Sequence, residues 1–252
     1  MEVENVHVGD TSVQVHRWGE GGGLPILYWH GGGGGSTESP VLGPCLAAAG
    51  FTMHAVDAPG YGGSPPLDRE RYLASTLAEL AAELIETLGL APTVWVGFSW
   101  GGNIGLHTAA LFPRTVRALC LLDSGYLQAT DDPDHDPETS YETERSDVQR
   151  RLDAGESWDA PAEVIAAAME GSWKDPCPPL YDRLRALDIP VFLAHATEPP
   201  EAQAVRAAPL ARFRAAVPSA RVVPIPGAAH GVLVDKPVEV CGLVVDWLSE
   251  LS

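Results

Sequence analysis

A serine set between a strand-like run and a helix-like run is the feature that most constrains this chain. The pentapeptide Gly97-Phe98-Ser99-Trp100-Gly101 follows the apolar run 93–96 and precedes the helix-like stretch 103–111. Glycines two positions before and after the serine allow a sharp, strained turn that brings strand and helix close together. The serine hydroxyl is then exposed above the positive end of the following helix. The sequence therefore predicts a nucleophile on a strand-to-helix turn, and the rest of the chain must supply a base, an acid and an oxyanion hole.

Short apolar runs alternate with helix-like segments along most of the chain. The spacing predicts strands at 3–8, 12–18, 24–29, 51–56, 93–96, 116–122, 190–195 and 220–224, and helices at 38–49, 69–88, 103–111, 202–217 and 238–251. The first two strands alternate apolar with polar residues, which is typical of an edge hairpin, and the later ones are apolar throughout, as in a buried parallel sheet. This order predicts an α/β fold with a mostly parallel central sheet and helices on both faces.

One segment departs from this pattern. Residues 126–187 are acidic and proline-rich, with helix-like pieces at 147–154 and 160–171 and two tryptophans, Trp158 and Trp173. Such a composition does not suit a central sheet, so we predict a helical cap at 126–187 inserted into a core formed by 1–125 and 188–252. The two tryptophans and several leucines of the cap predict a mostly apolar substrate pocket.

The charge balance excludes some classes of partner. The chain has 34 acidic against 16 basic residues and a net charge of -18, which argues against nucleic acid and anionic membranes, since both require clustered Lys and Arg. The N-terminus lacks the pattern of a secretory signal, and no run of about 20 apolar residues is present. We therefore expect a cytoplasmic protein with a small-molecule substrate, either a monomer or a homodimer.

The four cysteines, Cys45, Cys120, Cys177 and Cys241, are scattered along the chain without a C-x-x-C pair. This spacing predicts neither a zinc site nor a disulfide framework. We accordingly expect no metal.

A glycine run follows the third predicted strand. His30 and then five glycines, 31–35, come directly after the apolar run 24–29. Because glycine lets the main chain approach a ligand closely, backbone N–H groups at this position can bind a developing anion. We expect this loop to form half of an oxyanion hole, with His30 structural.

Four segments together resemble the α/β-hydrolase family: His30-Gly31-Gly32, the turn 57–64, the turn around Ser99, and Gly227-Ala228-Ala229-His230. The likeness covers nearly the whole chain except the cap. It implies that Ser99 is the nucleophile and His230 the general base, with no cofactor.

The resemblance also implies the rest of the site. The backbone N–H groups of Trp100 and Gly32 would form the oxyanion hole, and Gly33, Trp158 and Trp173 would line the substrate pocket.

The sequence does not decide which of two loops supplies the acid that would orient His230. The family most often has an Asp after the strand that here is 190–195, but that loop contains Glu198 and Glu201 and no Asp. Some members use an acid at the end of the preceding strand, where this chain has Asp123. We take Asp123 as the first candidate for the acid and Glu198 as the alternative.

These residues predict a serine hydrolase that cleaves an ester, lactone or thioester through an acyl-enzyme. A proline iminopeptidase-like aminopeptidase, whose cap acids bind the amino group of the substrate, is one alternative. A non-catalytic ligand-binding protein on a hydrolase scaffold is another. Dehalogenases and epoxide hydrolases use an Asp nucleophile followed by Trp, so Ser99 argues against both.

Overall fold

The computed structural model describes residues 1–20, 22–127, 131 and 140–251. Within these ranges eight strands form one sheet in the order β1-β2-β4-β3-β5-β6-β7-β8. The strands are β1 Glu2–Val8, β2 Thr11–Trp18, β3 Pro25–Trp29, β4 Thr52–Asp57, β5 Thr93–Phe98, β6 Val116–Leu122, β7 Val191–Ala196 and β8 Arg221–Ile225. β1 pairs antiparallel with β2 and β2 antiparallel with β4, and the remaining neighbours are parallel.

Helices connect the parallel strands. They are α1 Ser39–Ala48, α2 Ala74–Thr87, α3 Trp100–Leu111, α4 Ser140–Asp153, α5 Ala162–Lys174, α6 Tyr181–Leu187, α7 Pro200–Ala216, α8 Val232–Asp235 and α9 Pro237–Glu250. Short 3-10 helices lie at 36–38, 69–72 and 178–180. No helix in the described ranges combines the length and apolarity needed to cross a bilayer.

The hydrophobic core lies in two layers, one on each face of the sheet. α1 and α9 contribute side chains such as Leu42, Leu46, Val244 and Trp247 to one layer. α2 and α3 contribute to the other, which also receives residues of α5 and α6. Strands β4, β5 and β7 are buried along their whole length, as expected for parallel strands covered on both faces. The predicted α/β class is therefore confirmed.

Two expectations were wrong. The predicted helix 69–88 is interrupted at Leu73, whose backbone is extended (φ -57°, ψ 141°), so that a 3-10 turn precedes α2. Cys45 of α1 and Cys241 of α9 form a disulfide, with Cα atoms 6.5 Å apart across a sequence separation of 196 residues. The two helices pack on the same face of the sheet, which brings together cysteines that the sequence keeps far apart.

The cap at 126–187 stays a prediction. In its described part, α4 packs against α5, and α5 packs against the 3-10 turn at 69–72. A Cβ placed on Gly171 of α5 would lie 1.9 Å from the carbonyl oxygen of Tyr72, so the two backbones approach closely. The acidic residues at 132–138 lie outside the described residues.

Candidate active site

Ser99 lies between β5 and α3 with a strained backbone. Its φ is 50° and its ψ is -117°, a conformation that residues with a Cβ rarely adopt. A Cβ on Gly97 would lie 2.5 Å from the backbone of Gly101, and one on Gly101 would lie 2.1 Å from the carbonyl oxygen of Trp29. Both positions therefore require glycine, which explains why Gly97 and Gly101 flank Ser99 in the sequence.

A chain of hydrogen bonds runs from Ser99 through His230 to Asp123. Ser99 Oγ lies 2.8 Å from His230 Nε2, and His230 Nδ1 lies 2.7 Å from Asp123 Oδ2. Because an ionised carboxylate can only accept hydrogen bonds, Nδ1 carries the proton and Nε2 is left to accept from the serine hydroxyl. The imidazole is therefore held in the tautomer that can take a proton from Ser99.

Asp123 follows β6 directly and is almost completely buried, with 4% of its surface exposed. Its Oδ1 accepts hydrogen bonds from Tyr126 Oη at 2.8 Å and from the backbone N–H of Ala196 at 3.0 Å. Arg206 Nη1 lies 2.8 Å from both carboxylate oxygens. Burial opposes the charged form, but the hydrogen bond from His230 and the positive charges nearby outweigh it and lower the pKa of Asp123 to about 2. The carboxylate is therefore ionised throughout the neutral range.

Glu198, the alternative acid, is placed differently. It follows β7, and its backbone N–H donates to the carbonyl of Ala228 at 2.8 Å. Its side chain makes no hydrogen bond or ion pair with any residue in the described ranges, whereas Asp123 contacts His230 directly. The geometry brings Asp123 together with Ser99 and His230 and leaves Glu198 outside.

The glycine loop is held from several sides. His30 Nδ1 donates to the carbonyl of Gly31 at 2.7 Å, and its Nε2 accepts from the N–H of Ala58 at 3.1 Å. Burial lowers the pKa of His30, which suits a neutral ring with one donor and one acceptor. Tyr61 Oη donates to the carbonyl of Gly32 at 2.7 Å. As the sequence predicted, His30 is a structural residue of this loop.

Glu38 fixes the start of the same loop. Its Oε2 accepts from the N–H of Gly31 at 3.0 Å and from Tyr28 Oη at 2.8 Å. The sequence analysis did not single out Glu38, whose role depends on tertiary contacts. Tyr61 lies within the turn 57–64, but its contact with Gly32 has no sequence signal.

Two backbone N–H groups beside Ser99 are free to bind an oxyanion. The N–H groups of Trp100, the first residue of α3, and of Gly32 donate to no acceptor among the described residues. A Cβ on Gly32 would lie 3.9 Å from the Cβ of Trp100, so the two predicted oxyanion-hole residues are neighbours.

Ser99 and His230 lie between two cavities. The cap-side cavity, of about 120 Å³, is lined by Asn103, Ser124, Met169, Ser172 and Trp173 among others. The loop-side cavity, of about 380 Å³, is lined by the glycine loop 31–34 together with Glu38, Val41, Phe98, Leu233 and Val234. No Lys or Arg of the described ranges lines either cavity. The site therefore offers two compartments, and among the described residues neither is lined by a Lys or Arg side chain.

The three predicted pocket residues are placed in different ways. Trp173 lines the cap-side cavity and Gly33 the loop-side cavity. Trp158 lines neither; its ring packs on Gly33, where a Cβ would lie 3.1 Å from it. Trp158 therefore packs behind the glycine loop, and its contribution to the substrate pocket stays a prediction. Within the described ranges no three His, Cys, Asp or Glu side chains cluster as a metal site would require.

Comparison with known proteins finds relatives that align with only part of this chain and part of their own length. The chain is 36% identical to bifunctional epoxide hydrolase 2 of Sus scrofa over 85 residues, 33% of this chain and 15% of that protein. It is 31% identical to lipase LipV of Mycobacterium tuberculosis over 173 residues, 68% of this chain and 59% of that protein. The chain thus spans less than two thirds of the length of these curated relatives.

The fold itself is widely shared. The esterase EaEST from Exiguobacterium antarcticum superimposes with a TM-score of 0.80 at 19% identity, covering 97% of this chain and 98% of that one. A model of the alpha/beta hydrolase fold family matches residues 25–163, which is more than half of the chain and includes Ser99 and Asp123. Taken with the sheet order, the strained serine turn and the histidine that faces it, this match establishes that the chain belongs to the α/β-hydrolase fold family.

Proposed function

We propose that this protein is a cofactor-independent serine hydrolase that cleaves a small ester, lactone or thioester through an acyl-enzyme. The observation that carries the proposal is the continuous hydrogen-bonded chain from Ser99 through His230 to a buried, ionised Asp123. A serine hydroxyl is too weak an acid to attack a carbonyl unaided, and an adjacent base held by a third group is the usual means of activating it. The similarity to proteins named as lipase and esterase supports the same class.

In the first half of the proposed reaction, Ser99 Oγ attacks the substrate carbonyl while His230 Nε2 takes its proton. The carbonyl oxygen becomes an anion, which the N–H groups of Trp100 and Gly32 bind. Each such donor contributes about 2.7 to 4 kcal/mol to stabilising the transition state. The protonated imidazole, stabilised by Asp123, then passes its proton to the leaving group, and the acyl-enzyme remains.

In the second half, water takes the place of the leaving group. His230 Nε2 removes a proton from the water as its oxygen attacks the acyl carbonyl, and the same two N–H groups bind the second oxyanion. Collapse of this intermediate returns the proton to Ser99 Oγ and releases the acid. No step requires a group outside the chain other than water.

The two cavities support a neutral, mostly apolar substrate. The loop-side cavity has apolar walls from Phe98, Val41 and Leu233, and the cap-side cavity is smaller and more polar. Ser172 Oγ, which lines the cap-side cavity, is buried without a hydrogen-bond partner within the described ranges, so a polar atom of the substrate can bind there. Because no Lys or Arg of the described ranges lines either cavity, a substrate carboxylate would have no permanent counter-charge there.

A fluorophosphonate probe tests the proposal directly. It should modify the folded protein at one serine, and Ser99→Ala should abolish the labelling. Ser249→Ala is the matched control, since Ser249 is exposed on α9 and, among the described residues, its hydroxyl hydrogen-bonds to the carbonyl of Val245; it should label as the wild type does. If the folded wild type is not labelled, the enzyme proposal fails and a non-catalytic binding protein on the hydrolase scaffold is the better interpretation.

The aminopeptidase alternative has one observation in its favour. Glu38 lines the loop-side cavity, and its carboxylate contacts the neutral Tyr28 and Gly31 but no basic residue in the described ranges. A substrate ammonium group would supply the missing positive charge. Turnover of proline p-nitroanilide without turnover of p-nitrophenyl acyl esters would favour this alternative over the esterase.

The proposal places the enzyme in the cytoplasm as a monomer or homodimer. The Cys45–Cys241 disulfide makes the location worth testing, because disulfides are uncommon in cytosolic proteins. Cell fractionation with thiol counting of the freshly isolated protein tests it: recovery in the soluble fraction supports the cytoplasm, and recovery from outside the cell contradicts it.

A further inference from the structure

Arg206 is a buried arginine attached to the acid of the proposed triad. It lies on α7, with only 8% of its side chain exposed. Its Nη1 contacts both oxygens of Asp123 at 2.8 Å and Tyr126 Oη at 3.1 Å. Arginine is among the residues least often buried, and burying it carries a desolvation cost that the fold must offset.

Asp123 does not need Arg206 to satisfy its hydrogen bonds. Without the arginine, the carboxylate still accepts from Tyr126, from the N–H of Ala196 and from His230. The main effect of Arg206 on Asp123 is therefore its positive charge, since the hydrogen bonds of the carboxylate are already satisfied without it.

That charge lies close to His230. Arg206 Nη1 and His230 Nδ1 contact the same oxygen, Asp123 Oδ2, at 2.8 and 2.7 Å. A lone carboxylate beside a histidine favours the imidazolium form, whereas a guanidinium on the same carboxylate offsets that attraction and repels a second positive charge. Only the neutral imidazole can accept the proton of Ser99.

We propose that Arg206 is a positioning residue of this site: through Asp123 it orients His230 and keeps the imidazole in its neutral, proton-accepting form at lower pH than Asp123 alone would. The inference rests on the proposed function for its catalytic meaning, but its physical content can be measured without catalysis.

Other charged or titratable groups lie around His230 and Asp123, and they stay unchanged in the test. Tyr126 contacts Asp123 and Arg206, and His195 on β7 interacts electrostatically with Asp123 and with Arg214 of α7. Asp235 on α8 accepts from the N–H of Ala229, and Glu38 lines the loop-side cavity together with His230. Because every variant below retains them, a difference between variants reports on Arg206.

The expected size of the effect follows from the geometry. Two unit charges about 6 Å apart in surroundings of dielectric about 20 shift a protonation equilibrium by about two pH units. Since the His230 side chain is 54% exposed, solvent screening should reduce the effect to about one unit.

The test compares Arg206→Gln, which removes the charge and keeps a donor, with Arg206→Lys, which keeps the charge. Arg212→Gln is the matched control, because Arg212 lies on the same helix and contacts Asp131 and the carbonyl of Tyr126 but not the Asp123 carboxylate. The acid limb of the kcat/KM profile for a p-nitrophenyl ester is measured in each variant. The His230 imidazole is titrated by NMR in the same variants carrying Ser99→Ala.

Arg206→Gln should move both midpoints to higher pH by about one unit, while Arg206→Lys and Arg212→Gln should leave them within about 0.3 unit of wild type. Arg206→Met serves as the second neutral variant if the Gln variant does not fold. Unchanged midpoints in the neutral variants, or an equal shift in Arg212→Gln, would overturn the inference. A wild type that hydrolyses no ester while the NMR midpoint still moves would instead remove the proposed function alone.

Discussion

Replacing Asp123 by Asn removes the carboxylate that holds His230 while keeping nearly the same volume. Asn offers one acceptor oxygen where Asp offers two. The five contacts to the carboxylate, from Tyr126, Ala196, His230 and Arg206, are all made by donors. If the amide nitrogen faces His230, it cannot accept from Nδ1, and the imidazole shifts to the tautomer that cannot take the proton of Ser99.

The magnitude follows from two losses. An imidazolium and a carboxylate with charge centres about 4 Å apart attract by about 4 kcal/mol at a dielectric of about 20, which is about a thousandfold in rate. The wrong tautomer adds to this, so we expect kcat to fall about 10³- to 10⁴-fold. Arg206, left without its counter-charge, should further oppose formation of the imidazolium.

The assay is kcat and KM on a p-nitrophenyl acyl ester for Asp123→Asn and for Glu198→Gln. Glu198→Gln should stay within about threefold of wild type, because the Glu198 side chain makes no hydrogen bond or ion pair with any residue in the described ranges. Circular dichroism and a thermal melt of each variant separate loss of catalysis from loss of fold. The reasoning fails if Glu198→Gln is the inactive variant, or if a folded Asp123→Asn retains more than a tenth of wild-type kcat.

Three further predictions concern stability. Burial lowers the pKa of His107, but its interactions with Asp175, Cys177 and the carbonyl of Asn103 outweigh burial and raise the pKa from 6.5 to about 10. The stabilisation of the fold by His107 should therefore be complete below pH 6.5 and decline as the pH rises toward 10; denaturant unfolding across this window should show the decline in wild type and not in His107→Gln. Replacing Cys45 and Cys241 by Ala should lower the free energy of unfolding by about 2 to 4 kcal/mol, and a wild type that reduction does not destabilise would contradict this. Gly171→Ala should lower the melting temperature because its Cβ would meet a backbone oxygen at 1.9 Å. Gly242→Ala in α9, where the space around the added Cβ is open, should not lower the melting temperature.

The strands and most helices of the core could be predicted from local pattern to within a few residues, whereas α4 begins seven residues before the predicted 147 and α6 and α8 were not predicted. The strand predicted at 116–122 is β6 as observed, and the helix predicted at 202–217 is α7 with a shift of one or two residues. Period-2 and period-3.6 patterns are local, and burial on both faces of the sheet reinforces them. The break at Leu73 was missed because Leu73 is itself the first of the leucines at helical spacing in 73–88, so the pattern does not show that its backbone is extended.

The acid of the site could not be chosen from the sequence. Asp123 and Glu198 follow β6 and β7, which are parallel neighbours, so both carboxylates reach the same edge of the sheet. Which of them meets His230 depends on the path of each loop, and on the positive φ of 43° at Asp123, neither of which has a sequence signal. Their catalytic roles stay predictions.

Arg206 and the disulfide were missed for a related reason. α7 carries several arginines, and only tertiary packing distinguishes the buried Arg206 from Arg212 and Arg214. Cys45 and Cys241 are 196 positions apart, and no local spacing rule links them. Contacts between distant elements decide these features, and a single sequence does not record such contacts.

The disulfide has a consequence for a nicked form of the protein. Residues 154–157, between α4 and α5, are exposed, and exposed connections are preferred sites of proteolytic cleavage. A cut there would place Ser99 and Asp123 on one fragment and His230 on the other, yet Cys45 and Cys241 would still join the two fragments covalently. The cleaved protein should run as one species on a non-reducing gel and as two after reduction. Cleavage alone can therefore give a two-chain form in which the fragments that carry Ser99, Asp123 and His230 stay joined by the disulfide.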